Sequence, residues 1–357
     1  MTNMPFVSVD LSDQDWDRFL ESTPHGQFQQ SSCWACAKAV EGWRAIRAAY
    51  SDGGRIIGGF QILCRASRLG RMGFLPKGPV TVDERALPLD GIVRRVIAMA
   101  KDHGLAAIVV QPAEKNPVSD SLFAGYGFSP NILVPVVART HLLDLSCGMD
   151  KIISNMRRTH SLNIRQARSR GLKIREGSAG DIDLFFRLMV STCERQEKRP
   201  IPSTAAGLLR VWNAFHERHL IRLNIAEADG KAIAAGLTLL FGKRATLWKK
   251  GWSGEGNQYH PNNMVTFEAI EWAQQRGFET FDFADMALPL ADTLLSGGRP
   301  TEEMKRCVSF FNLGYGGYSL RVPDAFVHIR NPVLRFVYRR GAGVPWMRKL
   351  ARAVLER

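Results

Sequence analysis

The sequence lacks any run of about 18 uncharged apolar residues, the length that an α-helix needs to cross a bilayer. Its amino terminus lacks a basic segment followed by an apolar one, so we expect no secretory signal and a cytoplasmic protein. Cysteine is scarce, and the six cysteines lie far apart except for Cys33 and Cys36. We therefore expect reduced thiols and no disulfide framework. The Cys33 and Cys36 pair has redox spacing but lies at an apparent helix start, without the strand that precedes redox motifs.

Acidic residues are outnumbered by basic ones. Lys and Arg total 48 and Asp and Glu total 34, which gives a formal net charge of +14. This charge favours a polyanionic partner: nucleic acid, an anionic membrane surface or a phosphorylated substrate. His216, Glu217 and His219 lie together, but no further ligand cluster follows at zinc spacing. We expect no metal site and no bound cofactor.

The chain contains an internal repeat, and its 357 residues suit about two domains. Residues 43–64 and 220–241 each have two alternating apolar runs around an Asp-Gly turn, which predicts two β-hairpins. Each hairpin precedes a strand, a helix that ends at glycine, and another strand. These segments are residues 71–80, 91–104 and 105–112 in the first copy, and residues 245–252, 263–277 and 278–286 in the second. We predict an α/β (α+β) protein with two tandem copies of one unit.

A strongly basic segment, residues 147–177, separates the copies. Its apolar positions recur at spacings of three and four, which predicts one helix with a buried stripe and an end at Gly171. The stripe consists of Ile153, Met156, His160, Ile164 and Ala167, and the arginines around it include Arg157, Arg158, Arg165 and Arg168. We expect His160 to be a hydrogen-bonded core residue. The arginines form either a contact for nucleic-acid phosphates or a solvated helix face.

Two further helical segments are expected beyond this stripe. One follows the basic segment, over roughly residues 179–195. The other lies in the chain from residue 330 onwards, which is also basic. Three alternatives remain for this carboxy-terminal segment: contact with RNA, contact with an anionic membrane, or packing on the first domain.

Four segments together carry a family resemblance. Residues 26–43 contain a Gln-Ser segment that leads into a helix with Trp and Lys. Residues 76–80 read Pro-Lys-Gly-Pro-Val. Residues 155–174 contain Asn-Ile-Arg-Gln-Ala, and residues 309–317 read Ser-Phe-Phe-Asn-Leu-Gly-Tyr-Gly-Gly. In this order, they resemble the motifs of the FemA/FemB/FemX family of non-ribosomal aminoacyltransferases. The resemblance covers about residues 26–318.

This resemblance implies a tandem of GNAT-like (acyl-CoA N-acyltransferase-like) domains, with aminoacyl-tRNA as the donor. It implies a first domain over residues 1–145, a second over 146–317 that begins with the basic helix, and a segment, 318–357, that packs back on the first. Two departures bear on function. Asn312 stands where the family has a lysine at the reacting centre, although Lys38 of the opening helix is kept. Residues 199–206 do not clearly supply the arginine and tyrosine with which some members bind a muropeptide.

The donor is either a charged tRNA or coenzyme A. A coenzyme A pyrophosphate normally binds to backbone N–H groups of a glycine-rich loop that opens a helix. In this sequence, the loops that precede the corresponding helices are residues 76–90 and 251–263, and both lack that motif. The positive charge of the chain suits an acceptor stem of tRNA, which presents phosphates and is recognised mainly by shape and backbone. We therefore favour tRNA over coenzyme A.

The implied reaction is attack of an amine on an ester, which needs orientation of the substrates and a donor for the oxyanion. Asn312 is the candidate donor through its side-chain amide, and Lys305 or Arg306 is the nearest source of positive charge. Asp282 and Asp285 are candidates for binding or deprotonating the amine, and the alternative for Asp282 is that it faces solvent or caps a turn. The remaining candidates for substrate binding are Lys38, Lys77, Trp248, Lys249, Lys250 and Tyr259.

Three functions are consistent with the sequence. The first is an aminoacyl-tRNA-dependent N-acyltransferase that forms an amide on a peptidoglycan precursor or on a small-molecule or peptide metabolite. The second is an acyl-CoA-dependent acyltransferase that acts on an envelope polysaccharide or lipid intermediate. The third is a non-catalytic tandem domain that binds RNA or the inner face of the membrane.

Overall fold

The computed structural model describes residues 6–7, 11–67, 70–82, 87–114, 120–132 and 134–341. The chain divides into two compact units, which are residues 1–136 with 322–357 and residues 137–321. Among the described residues, no helix has the length and apolar character of a membrane span.

The first unit is built on one mixed sheet. In chain order its elements up to residue 136 are β1 (Phe6–Val7), α1 (Asp13–Glu21), α2 (Ser32–Ala39), β2 (Arg44–Asp52), β3 (Arg55–Ser67), β4 (Gly70–Pro76), β5 (Val80–Thr81), α3 (Leu89–Asp102), β6 (Leu105–Gln111), α4 (Asp120–Gly125) and β7 (Ser129–Pro130). Strands β2, β3 and β4 are antiparallel, and β6 is parallel to β4. Helix α3 connects these two parallel strands, as the sequence predicts.

The second unit repeats this arrangement. Its elements are β8 (Arg139–Asp144), α5 (Met149–Asn155), α6 (Arg158–Ser169), β9 (Lys173–Glu176), α7 (Ile182–Arg195), α8 (Ala205–His216), β10 (Ile221–Ala228), β11 (Lys231–Phe241), β12 (Arg244–Trp252), α9 (Pro261–Gln275), β13 (Thr280–Asp282), α10 (Leu288–Leu295), α11 (Val308–Asn312) and β14 (Tyr318–Arg321). Strands β10, β11 and β12 are antiparallel, β13 is parallel to β12, and α9 connects them.

The chain then returns to the first unit through β15 (Phe326–Ile329) and α12 (Pro332–Gly341). The first sheet has the order β1-β2-β3-β4-β6-β15-β7, with β5 on β3, and the second has the order β14-β8-β13-β12-β11-β10-β9. Strand β15 is antiparallel to β6 in the first sheet, as β8 is to β13 in the second. The two copies therefore share their strand order, which confirms the predicted duplication.

The hairpin turns explain why the repeat is visible in the sequence. Asp229 and Gly230 connect β10 to β11 with φ of 51° and 71°, and Gly53 and Gly54 connect β2 to β3 with φ of 54° and 80°. A two-residue turn with positive φ at both positions favours Asp-Gly or Gly-Gly, because glycine has no Cβ and aspartate tolerates the left-handed region.

The basic segment between the copies forms two helices where we expected one. After α5, Met156 and Arg157 take extended ψ values of 142° and 132°, and α6 begins at Arg158. The Arg157 N–H donates to Gly314 O (2.8 Å), which supplies a partner outside the helix. The break also shifts the buried face of α5: Ile152 is fully buried, whereas the expected Ile153 is 43% exposed.

The structure contains the predicted helix that follows the basic segment, a helix that was not predicted, and unit boundaries that differ from the predicted ones. The helix expected over residues 179–195 is α7, which a 3₁₀ turn over residues 179–181 precedes. Helix α8 is not predicted by the sequence analysis. The unit boundaries also differ from the expected 145 and 317, because β8 and β14 pair with each other in the second sheet. The carboxy-terminal return to the first unit therefore begins at Val322.

Candidate active site

Two parallel strands diverge in the second unit. Strand β12 pairs with β13 only from Arg244 to Thr246, and it then continues to Trp252. In the first unit, by contrast, β4 stays paired with β6 from Arg71 to Pro76. From Leu247 to Trp252, β12 therefore extends beyond its pairing with β13, and we call the two strands diverging in this sense.

The two lysines near the carboxyl end of β12 lie on opposite faces of the sheet. Lys249 pairs with Leu237 of β11, Lys250 pairs with Gly236, and the register shifts between them and Leu247. Successive residues of a strand point to opposite sides of the sheet. Lys250 therefore lies on the side of α9, where Gly236 leaves room, and Lys249 lies on the side of α7.

Lys250 and Asn312 form the centre of the candidate site. The Lys250 Nζ donates to Asn312 Oδ1 over 2.9 Å and lies 5.0 Å from the centre of the Phe311 ring. Burial lowers the pKa of the Lys250 ammonium to about 8. Asn312 is 5% exposed, and it ends α11. The two side chains place a cation and an oriented amide together at the end of the diverging strand.

His160 packs against α11 and is hydrogen-bonded to it. Its Nε2 donates to Phe311 O over 2.9 Å, and its ring lies 4.8 Å from the ring of Phe311 and 4.9 Å from that of Tyr315. Burial lowers the pKa of His160 to about 4, so the ring is neutral at physiological pH. A Cβ on Gly314 would lie 2.2 Å from this ring, which explains the glycine there. His160 is a hydrogen-bonded core residue, as the sequence predicts, and it positions the Asn312 segment.

The first turn of α9 also borders this cluster. Tyr315 Oη donates to Asn263 O over 2.9 Å, and Asn163 Nδ2 donates to Asn263 Oδ1 over 3.3 Å. Pro261 begins the helix and has no N–H, and the Asn263 N–H donates to His260 O. Fewer backbone donors are therefore directed outwards than an anion site at a helix start uses.

The two aspartates expected at the site have different surroundings from each other. Asp282 is buried and accepts from Thr140 Oγ1 (2.7 Å), from the Ala284 N–H (2.8 Å) and from Arg244 (3.1 Å). Such a saturated carboxylate is suited to holding the strand end and not to taking a proton. Asp285 is exposed as a residue, but partial desolvation raises the pKa of its carboxyl more than the Met286 backbone hydrogen bond, Lys198 and Lys249 lower it. Asp285 therefore lies within the electrostatic influence of Lys198 and Lys249.

The positive charge beside Asn312 comes from Lys250 and not from Lys305. Lys305 is exposed, and its Nζ lies 2.6 Å from Glu302 Oε1 one turn earlier. Sequence reasoning missed the pairing because it took the nearest basic residues along the chain. The useful signal was Lys250 itself, which follows Leu247 and Trp248 in a strand whose neighbour β11 is almost wholly apolar.

The other expected substrate residues have protein partners. Lys77 Nζ lies 2.6 Å from Glu114 Oε1 in a buried ion pair. Lys38 pairs with Glu41 at 2.9 Å and lies over Trp34. Two further contacts involve Tyr259, which donates to Asp229, and Trp248, which lies against Lys249. Lys38 and Lys77 belong to the first unit, whereas the Lys250 and Asn312 cluster belongs to the second.

The four arginines expected to bind tRNA separate into two groups. Arg157 is partly buried over the Phe310 ring (4.3 Å), and Arg168 pairs with Glu271 at 3.2 Å. Arg158 and Arg165 are exposed on the outer face of α6. Arg168 keeps 53% of its side chain exposed, and Arg165 Nε donates to Ser161 O over 3.4 Å. Three of the four arginines are therefore accessible on α6, and Arg157 is the partly buried one.

The repeated mixed sheets and the diverging strands of the second unit define the class of this protein: a tandem GNAT fold. Residues 154–292 match the model of the Acetyltransferase (GNAT) domain family. The crystal structure of FemX has a TM-score of 0.79 at 17% identity, over 93% of this chain and 99% of that chain. A tandem GNAT protein from the clavulanic acid biosynthesis pathway has a TM-score of 0.51 at 12% identity, over 90% and 94%.

Related sequences agree with the fold. The chain is 25% identical over 308 residues to the UDP-N-acetylmuramoylpentapeptide-lysine N(6)-alanyltransferase of Weissella viridescens, over 78% of this chain and 86% of the relative. It is 20% identical over 348 residues to the lipid II:glycine glycyltransferase of Staphylococcus epidermidis, over 77% and 83%. These similarities confirm the family resemblance and the fold class predicted from the sequence.

Proposed function

We propose that this chain transfers an aminoacyl group from a charged tRNA to the amine of a peptidoglycan precursor. The Lys250 and Asn312 pair at the diverging strands carries the proposal, because it supplies a cation and an amide where an ester carbonyl would enter. The relatives named above are an alanyltransferase and a glycyltransferase, which supports an amino acid as the transferred group. A small-molecule or peptide metabolite is the other acceptor with the required amine.

The chemistry needs no covalent intermediate on the protein. The acceptor nitrogen attacks the ester carbonyl, a C–N bond forms, and the C–O bond to the ribose breaks. Lys250 Nζ and Asn312 Nδ2 stabilise the oxyanion, because Lys250 already holds Asn312 Oδ1 and so turns the amide nitrogen towards the substrate. The proton lost by the amine ends on the departing ribose hydroxyl, either directly or through Lys250.

Lys250 takes over the charge that the Fem-like lysine at position 312 would bring. A lysine with a pKa of about 8 is a stronger proton donor than an ordinary lysine and remains mostly charged at neutral pH. It suits both tasks, stabilisation of negative charge and delivery of a proton to the leaving oxygen. The positive charge is therefore supplied from β12 instead of α11, and it still lies beside residue 312.

Charged tRNA is the proposed donor because of two features. The first turn of α9 has few outward backbone donors for a pyrophosphate, since Pro261 has no N–H and the Asn263 N–H is engaged. Arg158 and Arg165 extend from the same unit as the Lys250 pair and suit the phosphates of an acceptor stem. The proposed reaction uses no metal or bound cofactor and takes place in the cytoplasm, where charged tRNA is available.

The experiment is an amide-formation assay that compares donors. The protein is incubated with muropeptide or simple amine acceptors and a mixture of charged tRNAs, with and without ribonuclease, and in parallel with acetyl-CoA. We expect a product that is one amino-acid residue heavier and that ribonuclease abolishes. A ribonuclease-resistant product that requires acetyl-CoA would replace this proposal with an acyl-CoA transferase. Salt-sensitive tRNA binding without any product would indicate the non-catalytic alternative.

A further inference from the structure

Helix α12 in the first unit is amphipathic in an unusual sense, because its apolar face is the exposed one. Its inner side is anchored by Tyr338, whose Oη donates to Pro130 O (2.8 Å) and accepts from the Ile132 N–H (2.9 Å). Arg335 Nε also donates inwards, to Ile329 O (2.8 Å). The helix therefore has a fixed orientation on β15 and its neighbours.

The outer side of α12 carries four large apolar side chains. They are Val333, Leu334, Phe336 and Val337, with exposed fractions of 67%, 58%, 58% and 49%. At 100° per residue these four positions fall on one continuous arc of the helix. We call this arc the α12 apolar face. Among the described residues it is a concentration of exposed apolar surface on one helix, which in soluble proteins usually marks a contact surface.

The charged residues of α12 and of the two positions before it have one sign. Arg330 precedes the helix, Arg340 lies over the Phe336 ring (4.8 Å), and residues 330–341 contain no acidic residue. The sequence that follows, 342–357, adds Arg348, Lys349, Arg352 and Arg357 and one acid, Glu356. An occupant of this face must therefore accept a cationic rim.

Charge complementarity distinguishes the possible occupants. Residues 342–357 folded over the face would bring their own cations against Arg330 and Arg340. A second copy would do the same, because a two-fold interface places each patch against itself. An anionic bilayer offers acyl chains for the apolar side chains and phosphates for the arginines. We propose that the α12 apolar face docks this protein on an anionic membrane surface.

This surface goes beyond the proposed aminoacyl transfer and does not depend on it. A peripheral helix of this kind lies in the plane of the interface, with its apolar side chains among the headgroups and upper acyl chains. The anchored side, Tyr338 and Arg335, would keep the first unit fixed to the helix while it is bound. An amine acceptor carried on a lipid would then be presented to an enzyme already at its surface.

The test is co-sedimentation of the full chain with vesicles of phosphatidylglycerol and phosphatidylcholine, against vesicles of phosphatidylcholine alone. We expect binding to the anionic vesicles, weakened by salt. The double variant Leu334→Ser/Phe336→Ser should lower the partition coefficient at least about tenfold, because two apolar side chains that would be buried in the bilayer are lost. Arg340→Gln should lower it about fivefold. The matched control Ile201→Ser/Leu288→Ser removes two exposed apolar residues from the second unit and should change nothing.

Three results would overturn the proposal. They are an absence of vesicle binding, equal binding to neutral and anionic vesicles, and equal effects of the two double variants. Light scattering without vesicles adds one more: a dimer that Leu334→Ser/Phe336→Ser dissociates would make a second copy the occupant. The same double variant should keep full transfer to a water-soluble amine acceptor. Membrane docking and the proposed activity therefore fail independently.

Discussion

The Lys250 ammonium and the Asn312 carboxamide are joined across 62 positions of sequence by a hydrogen bond of 2.9 Å, at the end of a strand that has separated from its parallel neighbour. The lysine is held without a carboxylate contact in the cluster described above. Its charge is instead balanced by the Asn312 oxygen and the face of the Phe311 ring. A cation in such surroundings is available to a developing negative charge.

The pH dependence of transfer should report the ionisation of Lys250. Burial lowers its pKa to about 8, so the ammonium form predominates below that pH and is lost as the pH rises through it. Deprotonation of the acceptor amine has the opposite trend and is common to all variants. We therefore expect the ratio of the wild-type rate to the Lys250→Arg rate to fall as the pH rises through about 8. A ratio that stays constant across that range would exclude the ammonium as the active form.

Asp282 should contribute to stability and not directly to chemistry. Its carboxylate accepts from Thr140, from the Ala284 N–H and from Arg244, and it is 7% exposed. Asp282→Ala leaves the arginine without its buried partner, so we expect a loss of about 3 kcal/mol in the free energy of unfolding. Asp285→Ala removes an exposed carboxylate from the same strand end and should cost little. Urea unfolding of both variants provides the measurement, and equal stability would contradict the structural role.

Gly314 is expected to be the least replaceable glycine of the site. A Cβ there would lie 2.2 Å from the His160 ring, so Gly314→Ala forces His160 and α11 apart. We expect a loss of about 1–3 kcal/mol in stability together with a lower transfer rate. Gly180→Ala is the matched control, because the nearest atom to its Cβ lies at 3.6 Å. His160→Ala combined with Gly314→Ala should restore part of the stability, and strict additivity would argue against their contact.

The outer face of α6 should bind RNA phosphates. Arg158→Ala and Arg165→Ala are each expected to weaken tRNA binding for all tRNA species alike and to reduce the slope of log affinity against log salt by about 1. Arg299→Ala, at another exposed position of the second unit, should leave that slope unchanged. Filter binding over a range of salt concentrations measures the slopes. If the three variants are indistinguishable, the arginines of α6 form a solvated face.

The features that the sequence predicts well are those that depend on neighbouring residues. Asp229 and Gly230 specify the β10–β11 hairpin because the turn needs positive φ, and the periodicity of α9 identifies that helix. The same locality explains the errors. A stripe spaced by three and four does not reveal that the chain breaks at Met156, because the partner of Arg157 is the distant Gly314.

The candidate site shows the same limit. The motif identifies Asn312, but its charged partner Lys250 lies on β12 and not at Lys305, the basic residue near Asn312 in the sequence. From the sequence, Asp282 is a candidate for binding or deprotonating the amine or for capping a turn, whereas its hydrogen bonds depend on Thr140 of β8 and Arg244 of β12. Residue types and spacing predict which groups are present, and the tertiary fold decides which of them meet.

The most direct test of the account is the single-turnover rate of transfer from saturating aminoacyl-tRNA by Lys250→Met. We predict a fall of about 10²–10³ in that rate with tRNA affinity unchanged, because a donor to the oxyanion is lost while the α6 arginines remain. Lys243→Met, an exposed lysine at the turn that precedes β12, should transfer at the wild-type rate. A Lys250→Met rate within about twofold of wild type would contradict the placement of the reacting centre at Lys250 and Asn312.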